Sequence, residues 1–193
     1  PPIICPYPKY FIISGGTMPQ IGIILGSDSD LPKIRQCPEI LDKFGVSFEI
    51  IFSSAHRTPE QTKVWVESAR SRGIKVIIAA AGGAAHLPGV CAAHTTLPIV
   101  GIPIESPVSG GLDSILSIIQ MPSGIPVAAM PAGKAGGANS ALFALSILSV
   151  SDTAIADKLA SYREDMKSEI QKKNDLLKEK GYKEYIDSLG VKK

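Results

Sequence analysis

The chain has 193 residues and a net charge of +2, from 20 Lys and Arg against 18 Asp and Glu. That length supports one compact domain with a sizeable core, and the near-balance of charge leaves no basic footprint of the kind that binds nucleic acid. No apolar run approaches the ~20 residues of a membrane span, and Gly and Pro are interleaved with Val, Ile and Leu runs, which excludes simple disorder.

Charge is unevenly spread. From Asp152 onward 19 of 42 residues are charged, whereas residues 1–151 hold only 19 in all. Residues 1–17 are Pro-containing, lead to Met18, and lack the basic start and small-residue cleavage site of a secretory signal. They are expected to be an N-terminal extension, a tag or an upstream-translated segment ahead of a natural start at Met18; a genuine extension is the alternative.

In chain order, the apolar runs Ile21–Leu25, Val46–Ser53, Ile74–Ala80, Pro98–Ile102 and Pro126–Met130 read as strands. They are continuous and β-branched rather than alternating, as suits strands buried on both faces of a parallel sheet. Helical segments fall between them at Leu31–Phe44 and Pro59–Arg72, closed by Gly45 and Gly73. Pro38 should kink or split the first of these. Thr58, Pro59 and Gln61 form a capping-box pattern at the start of the second. Asn139–Val150 is nearly charge-free, so this helix is expected to be buried on most sides. From Ala154 to about Lys180 a charge-laced helix carries an apolar stripe at Ile155, Leu159, Tyr162, Met166, Ile170 and Leu177. Strand and helix in alternation predict an α/β fold: three layers, αβα, around a parallel five-stranded sheet, with a C-terminal helical extension. The expected division is an extension at 1–17, an α/β catalytic domain at 18–151 and a helical tail at 152–193.

Cys5, Cys37 and Cys91 are scattered and never spaced as CxxC, so neither a disulfide framework nor a zinc site is expected and a reducing, cytoplasmic setting fits. Cys91 has no thiolate-activating context and reads as packing, as does Trp65.

Ligands of parallel sheets bind beyond the carboxyl ends of the strands. Gly26-Ser27-Asp28-Ser29-Asp30 offers close backbone approach, hydroxyl donors for phosphate and carboxylates for sugar hydroxyls; the bland alternative is a helix cap. Ser54-Ala55-His56-Arg57-Thr58-Pro59 pairs a side chain that titrates near neutrality with a fork of donors suited to phosphate or carboxylate; the alternative is a solvated loop. Ala81 to Gly89, with Gly82, Gly83, Ala84, His86 and Leu87, lets a planar ligand lie against backbone N–H groups, or is simply a tight strand-to-helix turn. Gly133–Asn139 is a fourth loop candidate; it lacks the GK[ST] of a P-loop, and close packing explains it equally well. His94 reads as structural or surface.

Together GSDSD at 26–30, SAHRTP at 54–59, AAGGAAHLPG at 80–89 and GLDSILSIIQMPSGIPVA at 111–128 resemble class I N5-carboxyaminoimidazole ribonucleotide mutase, the phosphoribosylaminoimidazole carboxylase catalytic subunit family of purine biosynthesis. The resemblance covers about residues 19–165. It implies a flavodoxin-like fold, a cytoplasmic homo-octamer with sites at subunit junctions, and a C-terminal tail packed on a neighbouring subunit. It also implies an isomerase that moves a carboxylate from exocyclic N5 to C4 with no metal or organic cofactor. An ATP-dependent carboxyaminoimidazole ribonucleotide synthetase would be the functional partner; neither nucleic acid nor membrane is one. By motif, His56 would be the general acid and base. Ser27, Asp28, Asp30, Ser54 and Arg57 would bind the ribonucleotide, and Gly82, Gly83, Ala84, His86 and Leu87 would line the pocket. Pro38, Val90 and His94 depart from the family pattern. Two competing hypotheses are a class II enzyme that carboxylates aminoimidazole ribonucleotide with free CO2, and a non-catalytic nucleotide- or flavin-binding module.

Overall fold

The computed structural model describes residues 12–14 and 18–190. Its sheet has six strands: β1 (Ile12–Ser14), β2 (Ile21–Leu25), β3 (Phe48–Phe52), β4 (Val76–Gly82), β5 (Ile99–Ile104) and β6 (Ala128–Ala129). Their spatial order is β1-β3-β2-β4-β5-β6. The five from β2 onward are parallel, with Ile23 level with both Ile50 and Ile78, and form the expected five-stranded sheet. The sixth, β1, adds an antiparallel edge to β3 from within the segment expected to be an extension. The rest of that segment, Cys5 included, lies outside the described residues.

Among the described residues six α-helices accompany the sheet: α1 (Gln36–Phe44), α2 (Pro59–Ala69), α3 (Leu87–Ala93), α4 (Leu112–Ile119), α5 (Lys134–Ser149) and α6 (Thr153–Ser188). The continuous apolar strands serve two cores at once. Ile21, Ile23, Leu25, Phe48, Ile50, Val76 and Ile78 face one cluster, which includes Leu41 of α1, Leu145 of α5 and Ile155 of α6. Ile24, Ile51, Ile77 and Ala79 face the other, which includes Trp65, Cys91 and Ile118 from α2, α3 and α4. This is the three-layer αβα arrangement, and it follows from the two-residue period of strands that are apolar on both faces, Glu49 of β3 excepted. Gly22 and Gly101 are small because a Cβ at Gly22 would meet the Trp65 ring at 2.7 Å and one at Gly101 would meet Ile118 at 2.6 Å.

Several local expectations hold. Gly45 (φ 69°) and Gly73 (φ 95°) are left-handed stops. Pro38 sits in the first turn of α1, and the segment before it is broken into a separate 3-10 turn at Pro32–Ile34. Trp65 is buried, and His94 lies half-buried 3.5 Å from Glu67.

Others are corrected. The Thr58 hydroxyl does not cap α2. It turns back to accept from Ser54 N (2.9 Å) and donate to Ser54 O (3.2 Å), closing the loop that carries His56. Gly133–Asn139 is not a loop beyond Gly133; α5 begins at Lys134. Its Gly136 and Gly137 pack against Pro131 and Ile34 of the same chain, where a Cβ on Gly137 would sit 3.0 Å from Ile34 Cα. Nor is α5 buried on most sides of this chain. One stripe is covered (Ser140, Ala141, Ala144, Leu145, Leu148), while Phe143 stays exposed.

The tail divides in two. Ile155, Leu159 and Tyr162 pack on the chain's own core, with the Tyr162 ring 5.9 Å from that of Phe44. Met166, Ile170 and Leu177, the remainder of the stripe, are exposed. Gly181 breaks the helical geometry of α6 near its end. Among the described residues no helix is long and apolar enough to cross a membrane.

Candidate active site

The chain passes from β2 to β3 on one side and then to β4 on the other, so the strand order reverses at β2 and β4. Loops diverge there, and the crevice they leave is the general ligand position of such sheets. A cleft of about 570 Å³ lies there, walled by the segments after β2, β3, β4 and β5.

The first wall is Gly26–Asp30. Ser27 caps a 3-10 turn at Asp28–Asp30, accepting from Ser29 N (3.3 Å), and its hydroxyl lies 2.8 Å from that of Ser29. Asp28 accepts from Ser29 N at 2.8 Å. Asp30 is buried, and Lys33 Nζ lies 3.4 Å from its carboxylate.

The second wall is Ser53–Thr58. Ser54 Oγ accepts from Arg57 N (3.2 Å), and the Arg57 guanidinium donates to Gly26 O (3.3 Å). This bond ties the loop after β3 to the loop after β2. Ser53 anchors it from below through Thr62 (2.8 Å, buried).

The third wall turns sharply. Ala85 N donates to Gly82 O (3.1 Å), with Gly83 at φ 63° and Ala85 at φ 42°. Gly supplies the first positive φ without strain, whereas an L-residue at the second costs of order 1 kcal/mol. The turn ends at His86, which precedes α3 without capping it, so its imidazole is free to face across the cleft. There His86 Nδ1 lies 2.6 Å from His56 Nε2, the rings meeting edge to face at 68°. Two histidines 30 residues apart thus stand within hydrogen-bond distance over a floor of small residues.

Of the candidate residues, Ser27, Asp30, Ser54, His56, Arg57, Gly82, Gly83, His86 and Leu87 all line this cleft. Asp28 lines an adjoining groove of about 490 Å³, which shares Gly26, Ser27, Ser54 and Arg57 with the cleft. Ala84 lines neither. The fourth wall was not anticipated: Glu105, Ser106 and Pro107 follow β5. Ser106 Oγ donates to Asp113 Oδ1 (2.7 Å), and Ser114 Oγ donates to Ile104 O (2.9 Å), fixing α4 to the end of β5. The Ser106 hydroxyl, opposed by some desolvation and helped by Ser114 N, holds the Asp113 carboxyl below its ordinary range. Lys33 and Ile104 also line the cleft without having been anticipated. Applying the strand-end rule to β5 as well would have found the Glu105 segment.

Burial pushes the Cys37 and Cys91 thiols up to about 12, against a weaker opposing hydrogen bond at each, so neither is a nucleophile here. Among the described residues no group of three or more His, Cys, Asp and Glu side chains is placed to hold a metal ion.

Known proteins share this architecture. A family described as AIR carboxylase matches residues 20–169. N5-carboxyaminoimidazole ribonucleotide mutase of Pyrococcus horikoshii is 51% identical over 87% of this chain and 94% of that protein. The mutase of Thermotoga maritima is 49% identical over 88% of this chain and 98% of its own length. The chloroplastic phosphoribosylaminoimidazole carboxylase of Vigna aconitifolia is 44% identical over 86% of this chain but only 29% of that protein. A crystal structure of Treponema denticola PurE superposes with a TM-score of 0.75 at 30% identity, covering 83% of this chain and 99% of that one. With the match spanning the whole α/β body and all four walls of the cleft, the chain belongs to the AIR carboxylase family.

Proposed function

We propose that this chain is an N5-carboxyaminoimidazole ribonucleotide mutase of purine biosynthesis, an isomerase that converts its substrate to 4-carboxyaminoimidazole ribonucleotide. The observation that carries the proposal is the His56–His86 contact over the small-residue floor of the switch-point cleft, in a chain about half identical to proteins of that name.

His56 is the acid and base. Its imidazolium gives a proton to N5 as the N5–carboxyl bond breaks and CO2 leaves, generating aminoimidazole ribonucleotide and a neutral His56. C4 then attacks CO2, and His56 takes the C4 proton as the ring regains aromaticity, which returns the imidazolium to its starting state. One side chain suffices because the two proton transfers are equal and opposite. His86, 2.6 Å away, keeps the His56 ring oriented between turnovers. Gly82, Gly83 and Leu87 confine the CO2 and exclude water. Ser27, Asp28, Asp30, Ser54 and Arg57 hold the ribose and phosphate, whose binding energy lies away from the reacting atoms. Ala84, exposed beside the turn, acts through the backbone geometry of Gly82–Ala85 rather than by lining the pocket.

The reading includes a cytoplasmic homo-octamer, with the exposed stripe of α6 beyond Tyr162 packed on a neighbouring subunit. The functional partner is an ATP-dependent carboxyaminoimidazole ribonucleotide synthetase that makes the N5-carboxylated substrate. A second reading, carboxylation of aminoimidazole ribonucleotide with free CO2, is favoured by the family description and by the plant relative's name. Incubating the purified protein with each substrate separates the two. The mutase turns over the N5-carboxylated compound without added bicarbonate. Efficient use of aminoimidazole ribonucleotide and CO2, with no turnover of the N5-carboxylated compound, would refute the first reading.

A further inference from the structure

Four residues with a formal charge line the cleft: Asp30, Lys33, Arg57 and Glu105. Without Lys33 the balance would be one cation against two carboxylates, facing a ligand that brings a phosphate and a carboxylate of its own. Arg57 stands where the cleft meets the groove beside Gly26–Asp28. Lys33 stands at another junction, where the cleft meets a pocket of about 640 Å³ that it lines with Arg35, Glu105 and Lys134. The two cations therefore stand where the cleft meets two different neighbouring grooves.

Three observations give Lys33 a defined place. Its ammonium lies 3.4 Å from Asp30 Oδ1, and the Asp30 side chain is 11% exposed, so this carboxylate has little water to screen it. The Lys33 side chain is 46% exposed and keeps donors available to the cleft. Its backbone is pinned: the next residue, Ile34, is fully buried, and the α5 backbone at Gly137 packs directly on Ile34. A flexible surface lysine would be averaged over many positions; this one starts from a fixed root beside a buried acid.

We propose that Lys33 is a positioning residue for ribonucleotide binding: it holds the Asp30 carboxylate toward the sugar hydroxyls and offsets its charge, so that an anionic phosphate ester enters a cleft that would otherwise repel it. The proposal rests on the ribonucleotide reading of the site, and acts on binding rather than on proton transfer. Lys33 and Asp30 work as one unit, so the effect of losing either depends on the other. Because Lys33 is half exposed, its contribution is screened by salt.

The test is calorimetric titration of aminoimidazole ribonucleotide into wild-type protein, Lys33→Ala, Lys33→Arg, Asp30→Asn and the Asp30→Asn/Lys33→Ala double variant. Melting temperatures serve as a folding control. Lys33→Ala is expected to weaken binding roughly three- to tenfold at low salt, within the range of a partly exposed ion pair acting on a charged ligand. Lys33→Arg restores most of the affinity. The loss shrinks as ionic strength rises past about 0.3 M, and falls below about twofold in the Asp30→Asn background. Steady-state assays should show the same loss in KM with kcat little changed. Unchanged affinity in Lys33→Ala, an equal loss with and without Asp30, or a loss indifferent to salt would each overturn the proposal. Wild-type protein that binds the ribonucleotide but turns nothing over would refute the mutase reading and leave Lys33 to be judged on affinity; wild-type protein that binds no ribonucleotide would overturn both.

Discussion

Replacing Arg72 by Ala should cost more stability than any change at the surface, because it strands a buried acid. Glu49 is the second residue of β3, its side chain is 2% exposed, and Arg72 Nη2 meets its Oε1 at 2.7 Å. The same guanidinium donates to Ser68 Oγ and to Trp65 O (3.2 Å), and its carbon lies 5.4 Å from the Trp65 ring centroid. At 2.7 Å and an effective dielectric of about 20, the gross attraction of the pair is about 6 kcal/mol. Desolvation takes back part of that in the intact protein, but removing one partner leaves the desolvation of the other unopposed, at about 3–5 kcal/mol. Arg72 is 20% exposed, so water can reach part of the vacated site, which favours the lower half of that range. For a chain of this length the loss corresponds to a fall of roughly 6–15 °C in melting temperature. Circular dichroism melts at one fixed protein concentration would measure it, since association also contributes to apparent stability. Glu49→Leu/Arg72→Met should recover most of the loss, because an apolar pair replaces the ion pair. A loss below about 1 kcal/mol in Arg72→Ala would refute the reasoning, since it would mean that Glu49 finds water or another cation without rearranging β3.

Cys37 and Cys91, with thiols pushed up to about 12, should resist alkylation at pH 8 in the native protein and react once it is unfolded; peptide mapping after labelling would show this. Their titration also sets a direction for stability. A folded-state value raised above the ordinary 9.0 contributes stability that is full below pH 9 and is lost as pH climbs toward 12. Ser106→Ala should let the Asp113 carboxyl rise back toward its ordinary range, seen in a carbon-13 titration, and should weaken ribonucleotide binding by loosening the segment after β5. Asp113 is held low by its hydrogen bonds, so its contribution to stability is present above its ordinary 3.8 and disappears as pH falls through the lowered value.

Much of this fold could be read from apolar continuity alone. Ile21–Leu25 has no polar side chain on either face, and only a sheet covered on both sides can bury such a strand. What the patterning missed was decided by close packing. Gly136 and Gly137 argued against a helix on propensity, yet they open α5 so that its backbone can lie on Ile34. Pro126–Met130 pairs over only Ala128–Ala129, although the whole run is apolar. The three-residue β1 is too short to announce itself as a strand, and it is β3 that gives it an edge to join. At the site, the motif residues converge because three of the four walls are the first residues after β2, β3 and β4. The Glu105 segment follows β5, where the strand-end rule reaches it, whereas Lys33 stands three residues beyond the last Asp of the GSDSD run, and only the fold shows that it faces the same cleft.

On the mutase reading, this cleft moves a carboxylate within one bound ribonucleotide under the control of His56. The transfer is tested most directly with N5-carboxyaminoimidazole ribonucleotide carrying carbon-13 in the migrating carboxylate, in excess unlabelled bicarbonate, with wild-type protein and His56→Asn. The wild type should deliver the label to C4 largely undiluted, and His56→Asn should bind the ribonucleotide but form no product. Label lost to the bicarbonate pool would contradict the closed cleft, and full activity in His56→Asn would contradict the proton carrier.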